Sequence, residues 1–269
     1  MPCISGPVVT RFRLLAGAAG CVLSIALAAG LTEAQVQLSV VMSLDKAVVT
    51  QHEPVFLRIA IENSSQQGVV INLGHQDEKL DIRVTNPLGS TELRPRPVKA
   101  GWSSPDVLDA PPSGSSAAEV PLNSWFAFHM LGHYRIDLAL HPDSLPEEPF
   151  LYTLVGNSAV LDLTVLPRDP ASLESACASL VETIRNAGSA SATAAAANAL
   201  SAIDDPAAVP FAVQALKKPE FAALMIGALA RLRTDEAVRA LVSASKSGDR
   251  ETSSLARSAL AALGKSRAP

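Results

Sequence analysis

The sequence has few aromatic and few charged residues. Aromatics make up 4% of its 269 residues and charged residues 18%, whereas apolar residues reach 48%. This apolar content is enough for packed cores and excludes a wholly disordered chain. The 22 basic and 26 acidic residues give a net charge of −4. We therefore expect no nucleic-acid partner, because nucleic-acid-binding domains carry a strongly basic surface.

Beyond Ala34 the sequence has a single cysteine. Cys3 and Cys21 lie near the N-terminus, and Cys177 is the last of the 3 cysteines. One thiol cannot form an internal disulfide bond. A mature chain that begins after Ala34 would therefore depend on core packing for its stability, even in an oxidising compartment.

Residues 1–34 have the layout of a secretory signal peptide. Arg11 and Arg13 form a positively charged start, and residues 14–30 are uncharged and rich in Leu, Ala, Ile and Val. Candidate cleavage motifs with small residues end at Ala28 and Ala34. We therefore predict that residues 1–34 are removed during export to the periplasm or the medium.

Two alternatives remain open for this segment. One is an uncleaved membrane anchor, although the apolar run is shorter than the roughly 20 residues that a spanning helix needs. The other is lipidation of Cys21, because Ala18-Ala19-Gly20-Cys21 resembles a degenerate lipidation motif of bacterial lipoproteins. No other segment is apolar and long enough to span a membrane once the signal is removed.

Residues 35–167 show the alternation of β-strands. Leu57, Ile59 and Ile61 alternate with the charged residues Arg58 and Glu62, and similar short segments follow. A period of two is typical of half-buried strands. Because turn residues separate these segments and no helical pattern intervenes, we predict an antiparallel β-sandwich.

Two segments of this region resemble immunoglobulin-like domains. Glu53-Pro54-Val55 opens a strand that ends in Ile61-Glu62-Asn63, which resembles an early strand of such domains. Gly132-His133-Tyr134-Arg135-Ile136 resembles the G-x-Y-x-V start of a late strand. The resemblance implies an immunoglobulin-like sandwich in which Tyr134 forms a corner that pins the preceding loop.

Residues 94–123 interrupt the alternation. Six prolines and the segment Ser113-Gly114-Ser115-Ser116 predict a long surface loop. Long loops on rigid scaffolds often carry binding sites. The candidate binding residues here are a basic and aromatic cluster: Arg94, Arg96, Lys99 and Trp102. The alternative is an ordinary solvated loop.

The five histidines lie in the β region, but their spacing does not predict a metal site. His129 and His133 are four residues apart, as in a helical zinc pair. Met130 occupies the place of the glutamate in that motif, and Gly132 would interrupt a helix. We therefore expect no metal and no cofactor.

From Pro170 onward the apolar residues recur with a helical period. Leu173, Cys177, Leu180 and Ile184 form one stripe. The position of Cys177 in this stripe predicts a buried small side chain rather than a nucleophile. No histidine follows it in the chain to act as a base.

Residues 170–264 also contain an internal repeat. Ala199-Leu200 recurs as Ala228-Leu229, and Ala208-Val209 recurs at the same interval as Ala237-Val238. Asp169, Asp205 and Thr234 stand where helix N-caps are expected. The pattern predicts antiparallel helix pairs, with helices at about 170–186, 190–203, 206–217, 219–232, 235–247 and 250–264. It resembles the short bacterial form of HEAT-type repeats. That resemblance implies an α-solenoid, with the sandwich docked on the first helix as an end cap.

HEAT-type solenoids bind proteins through extended surfaces, so the resemblance implies a bacterial interaction or scaffold protein without catalytic activity. The predicted partner-binding residues are the outward positions of the second helices: Gln214, Lys217, Arg239, Ser243 and Lys246. They would form a polar, mildly basic row suited to an acidic protein partner. A plain solvated helix face is the alternative.

Two other functions remain open. One is a cell-wall or carbohydrate-binding module that uses the loop around Trp102. The other is a lyase-like enzyme, because some short HEAT-type proteins attach pigments. The sequence contains no motif for a nucleophile, a phosphate loop or a metal, so we expect a binding protein rather than an enzyme.

We expect the exported protein to begin within a few residues of Gln35, since the pattern of charge and small residues fits signal peptidase. N-terminal sequencing of protein recovered from the periplasm or the medium measures this directly. An intact Met1 or a lipidated Cys21 would contradict the prediction.

Overall fold

The computed structural model describes residues 36–72, 80–93, 107–141 and 152–266. A part built of β-strands ends at Leu166, and helices follow from Pro170 onward. Both parts belong to one compact unit, Gln35–Pro269. Every helix in the described ranges falls short of the length and apolarity needed to cross a membrane.

The described residues form eleven strands in two larger sheets and one small sheet. The strands are β1 (Val36–Leu44), β2 (Val48–Thr50), β3 (Phe56–Asn63), β4 (Val69–Asn72), β5 (Leu80–Thr85), β6 (Thr91–Leu93), β7 (Val107–Ala110), β8 (Gly114–Pro121), β9 (Gly132–Leu140), β10 (Tyr152–Val155) and β11 (Ser158–Leu166). The strand orders are β10-β1-β3-β8 and β2-β11-β9-β5-β6, and β4 pairs with β7.

The sheets share one hydrophobic core. Ile59 of β3, Ile71 of β4 and Ile136 of β9 all belong to it and are almost completely buried. In β3 the charged residues Arg58 and Glu62 are exposed. The alternation predicted for this strand is therefore confirmed, because its apolar face points into the shared core.

The sheets are mixed, so the prediction of a wholly antiparallel arrangement is wrong. β10 runs parallel to β1, and β2 runs parallel to β11, whereas the other described pairings are antiparallel. Both parallel strands lie at sheet edges. Alternation indicates which face of a strand is buried, but strand direction depends on a distant pairing partner.

The predicted loop over residues 94–123 is also wrong in its second half. β8 pairs along its whole length with β3, and β7 pairs with β4. The small residues of β8 conceal its alternation, because Ala118 is buried while Ala117 and Glu119 are exposed. The prolines of this half lie in the turn before β8 and at its last residue. Residues 94–106 lie outside the described residues.

Tyr134 forms the corner that the immunoglobulin-like resemblance implies. The backbone N–H of Met130 donates a hydrogen bond to the Tyr134 hydroxyl at 2.9 Å. The Tyr134 ring is buried and lies edge-on to Phe128, with ring centroids 5.3 Å apart. The loop before β9 is thus held to the core by both a hydrogen bond and an aromatic contact.

The described helices closely follow the predicted positions. They are α1 (Pro170–Asn186), α2 (Ala190–Ala202), α3 (Val209–Ala215), α4 (Ala222–Leu232), α5 (Asp235–Ala244) and α6 (Arg250–Ser266). The predicted caps are confirmed, since the side chains of Asp169, Asp205 and Thr234 each accept a backbone N–H of the first turn. Short 3-10 turns that begin with proline precede α3 and α4.

The helices enclose a second hydrophobic core. Leu173, Cys177 and Ile184 of α1 are almost fully buried in it, which confirms the predicted stripe. Burial raises the pKa of the Cys177 thiol to about 12. The thiol is therefore protonated at neutral pH and shielded from solvent.

The β part meets the helices mainly through α2. α2 packs against β8, and Phe56 of β3 contacts the helical core. At α1 the contact is polar, because the Ser172 hydroxyl donates a hydrogen bond to the buried carboxylate of Glu53. The expectation that the β part docks on the first helix is therefore wrong for the apolar packing. The apolar packing between the two parts involves α2, whose small side chains allow a close approach.

We expect Cys177→Ser to lower the free energy of unfolding by about 1–3 kcal/mol, because it buries a hydroxyl among apolar groups. Ala178→Ser is the matched control, since it adds the same side chain at the exposed neighbouring position. It should change stability by less than about 0.5 kcal/mol. Urea unfolding followed by circular dichroism compares them, and equal stabilities would contradict the burial of Cys177.

Candidate functional site

The predicted polar and basic residues lie in and just after helices α3 and α5. Gln214 belongs to α3, and Arg239 and Ser243 belong to α5, whereas Lys217 and Lys246 follow the two helices by two residues. The Lys217 N–H donates to the Gln214 carbonyl at 3.3 Å, and the Lys246 N–H donates to the Ser243 carbonyl at 3.1 Å. The same turn therefore ends both helices.

A fourth cation joins these residues through a contact that the sequence did not indicate. The Arg185 guanidinium, near the end of α1, donates a hydrogen bond to the Gln214 side-chain oxygen at 3.0 Å. α1 packs against α3, and α3 packs against α5. We call the set Arg185, Gln214, Lys217, Arg239, Ser243 and Lys246 the basic row. The interval from Arg185 to Gln214 equals the interval from Gln214 to Ser243, so Arg185 occupies the matching position one repeat earlier.

The charges of the basic row have no acidic partner among the residues that the structure describes. Lys217, Arg239 and Lys246 are exposed, and none of them forms an ion pair with any described residue. Lys217 and Lys246 also stand near helix C-termini, where a cation interacts favourably with the carbonyl ends of the helix. The lysines thus stabilise their helices and leave positive charge open to solvent.

The second predicted site is the basic and aromatic cluster of the loop. Arg94, Arg96, Lys99 and Trp102 lie outside the described residues. Their proposed role in carbohydrate or cell-wall binding stays a prediction.

The histidine rings that lie together in the structure are not the two that are close in the sequence. His129 and His133 separate, since the His133 Nδ1 lies 3.0 Å from the Thr164 hydroxyl. The His129 ring instead lies beside His52, with ring centroids 5.4 Å apart. Within the described ranges, no three or more His, Cys, Asp or Glu side chains are grouped to hold a metal ion.

A cleft of about 490 Å³ opens where the β part meets the helices. We call it the junction cleft. Its volume lies within the range typical of small-molecule sites. The lining residues with polar or aromatic side chains that matter below are His52, Trp125, His129, Asn198, Asp204 and Arg231.

His52 reaches the junction cleft from a strained turn between β2 and β3. The Glu53 N–H donates to the Thr50 carbonyl at 3.1 Å, and His52 has a φ of 71°. This left-handed conformation favours glycine at the third position of a turn. The turn is held in place by Gln51, whose side-chain amide donates to the His129 carbonyl at 2.5 Å.

The surroundings of His52 favour its neutral form. Loss of hydration lowers the pKa of His52, and the neighbouring His129 and Arg168 lower it further, against the opposing effect of Asp205 and Asp204. The His52 Nδ1 is buried and has no hydrogen-bond partner among the described residues. A neutral imidazole has one donor and one acceptor nitrogen.

Three other polar groups at the junction cleft, of which the His129 ring and the Asp204 carboxylate are exposed to solvent, make no hydrogen bond within the described residues. Among the described residues, no hydrogen bond or ion pair engages the His129 ring, the Asn198 amide or the Asp204 carboxylate. Asn123 differs, because its side-chain oxygen accepts from the Val55 N–H at 2.6 Å and thereby connects two segments of the β part. The first three groups can bind a ligand, whereas Asn123 serves the fold.

The sequence does not reveal the junction cleft, because the residues that line it are far apart in the chain. His52 and His129 are joined only by the tertiary fold, and Asn198 and Asp204 come from the helical part. One weak signal exists at Asp204. It stands directly before the helix cap Asp205, so its carboxylate is not needed for capping.

A charge pair fixes the chain beside the junction cleft. The Arg168 guanidinium donates from Nε to Asp205 Oδ2 at 2.5 Å and from Nη2 to Oδ1 at 2.9 Å. Asp205 is buried, and these hydrogen bonds from Arg168 lower its pKa. Since folding lowers this pKa, the pair adds stability above the unfolded pKa of Asp and loses it as the pH falls toward the folded value.

Comparison with known proteins identifies no family for this chain. No family model matches it, and no curated protein matches it. A CARDB domain from Pyrococcus furiosus aligns with 49% of this chain and 87% of its own, with 12% identity and a TM-score of 0.26. The sporulation control protein Spo0M from Bacillus subtilis aligns with 54% of each chain, with 9% identity and a TM-score of 0.27.

A β-glucosidase from Erythrobacter marinus aligns with 49% of this chain and 16% of its own, with 8% identity and a TM-score of 0.30. These similarities are too low to assign a ligand or an activity. Identification of residues 170–264 as HEAT-type repeats is wrong, because no family model matches the chain. The internal repeat reflects the caps and small apolar residues that short packed helices need. The lyase alternative rested on that resemblance and is withdrawn.

We expect Asp205→Asn to lower the free energy of unfolding at pH 7 by about 1–3 kcal/mol, since it removes a charged hydrogen-bond acceptor. The deficit should shrink as the pH falls below about 4, the pKa of Asp in the unfolded chain, toward the lower pKa of Asp205 in the folded protein. Asp204→Asn is the control, because the neighbouring carboxylate is exposed and unpaired among the described residues. Denaturant unfolding at several pH values tests this, and a deficit that persists unchanged at low pH would contradict it.

Proposed function

We propose that this protein is an exported, non-catalytic binding protein. In this proposal an immunoglobulin-like β-sandwich carries a helical part that binds an acidic protein partner through the basic row. The observation that carries the proposal is the exposed positive charge of Lys217, Arg239 and Lys246, which no described carboxylate neutralises. The chain as a whole has a net charge of −4, so a local basic surface gives it a directional attraction for acidic groups.

The basic row is suited to binding by its preorganisation as well as by its charge. The hydrogen bond from Arg185 to Gln214 holds a long side chain in one position, which lowers the entropy lost when a partner binds. The repeated turns after α3 and α5 give Lys217 and Lys246 equivalent backbone positions. Complementary charges of this kind increase the association rate and determine partner choice.

Two further observations support the rest of the proposal. The Tyr134 hydrogen bond and the core shared by two sheets support the immunoglobulin-like sandwich. The pKa of about 12 and the burial of Cys177 argue against a thiol nucleophile. Export rests on the charge and hydropathy pattern of the segment before Gln35.

We expect the triple variant Lys217→Gln, Arg239→Gln and Lys246→Gln to bind its partner at least about tenfold more weakly, because three exposed charge contacts are lost. Partners retained by the wild-type protein from a cell-envelope extract would be identified by mass spectrometry. The affinity of each purified candidate is then measured by titration calorimetry for wild type and variant at two salt concentrations.

The matched control is Arg58→Gln, Arg83→Gln and Arg135→Gln, which removes three exposed positive charges from the β part. It should bind as wild type does. Wild-type affinity should fall with added salt, since exposed charges are screened within about 10 Å at 0.1 M. Equal affinities of the two triple variants, with both folded by circular dichroism, would reject the basic row as the interface.

A further inference from the structure

The junction cleft offers hydrogen-bonding groups that have no partner among the described residues. The amide of Asn198 and the rings of His52 and His129 each provide a donor and an acceptor, and the carboxylate of Asp204 provides acceptors. An apolar ligand would bury these groups without compensation, which is unfavourable. The cleft therefore favours a ligand with several groups that both donate and accept, as hydroxyl groups do.

The cleft is lined by one acidic and one basic side chain. Asp204 and Arg231 carry opposite charges, and the Arg231 guanidinium also donates to the carbonyl oxygens of Ser201 and Ile203. The imidazole of His52 is kept neutral by its surroundings. With no excess charge of either sign, the cleft matches an uncharged ligand better than an anion or a cation.

The β side of the cleft adds aromatic surface. Trp125 lines it beside the two histidines, and the Trp125 side chain is half-buried. Aromatic rings offer a flat apolar face together with polar edges. This combination matches a ring-shaped molecule that has hydroxyl groups at its rim and C–H groups on its faces.

The conformation of His52 is a separate observation that points to the same site. A non-glycine residue with a φ of 71° adopts a backbone conformation that is strained for most side chains. The fold accepts this strain at the turn that brings the His52 imidazole to the cleft. Because glycine would fit the turn better, the imidazole at this position points to a ligand contact.

We propose that the junction cleft binds a neutral saccharide of one or two sugar rings. The imidazole of His52, the Asn198 amide and the Asp204 carboxylate hydrogen-bond its hydroxyl groups, and an aromatic ring of the β side contacts a sugar face. This site is separate from the basic row and does not depend on it. It also differs from the Trp102 loop, which lies outside the described residues.

Titration calorimetry of the full-length protein tests the proposal. The probes are glucose, maltose, cellobiose and diacetylchitobiose, and the charged comparators are glucose 6-phosphate and glucosamine. We expect at least one neutral sugar to bind with a Kd of about 1 mM or tighter, and each charged comparator to bind more weakly. Absence of binding by all four neutral sugars, or tighter binding of a charged comparator, would overturn the proposal.

Variants then locate the site. His52→Gly should weaken sugar binding at least about tenfold while leaving the melting temperature nearly unchanged, because glycine suits the positive φ. Asp204→Ala should weaken binding to a similar extent, whereas Asp162→Ala, at an exposed carboxylate of β11, should not. Unchanged affinity in both His52→Gly and Asp204→Ala would place any sugar site elsewhere and refute the inference.

Discussion

The charge pair between Arg168 and Asp205 fixes the path of the chain where the β part passes into the helices. Its two hydrogen bonds, 2.5 and 2.9 Å long, join the segment that leaves β11 to the turn before α3. The same Asp205 carboxylate caps that turn by accepting from Ala207. A buried carboxylate needs such partners, because an unpaired charge away from water is strongly unfavourable. One side chain thus sets both the chain path and the helix start beside the junction cleft.

Small side chains allow the β part and the helices to approach closely. β8 consists largely of Gly, Ser and Ala, and α2, which packs against it, buries Ala195, Ala196, Ala197 and Ala199. Such residues lose no side-chain entropy on burial, or very little, and let backbones come near each other. Alanine thus serves two purposes in this chain, because it favours helix formation and also permits close packing at this interface. The close packing leaves the junction cleft at its margin, where larger side chains such as Trp125 and Arg231 line the opening.

The two candidate binding surfaces differ in how they arise. The basic row depends on a short repeat, because the same turn follows α3 and α5 and carries a lysine each time. The junction cleft has no repeat and joins a strained turn, an aromatic segment and two helices. The first presents net positive charge to solvent, whereas the second presents balanced charge and unpaired polar groups. Such chemistry suits a macromolecular partner in one case and a small uncharged ligand in the other.

By itself the sequence determined the local features of this protein. The buried face of β3, the helix positions, the caps at Asp169, Asp205 and Thr234, and the burial of Cys177 all follow from periodicity and capping. Only the tertiary structure decided the parallel direction of β2 and β10 and the pairing of β8 with β3. It also decided the approach of His52 to His129 and the hydrogen bond from Arg185 to Gln214. The physical reason is the distance along the sequence between the residues that interact. A period or a cap involves residues within a few positions of each other, whereas these pairings join distant segments whose meeting depends on the packing of the whole core.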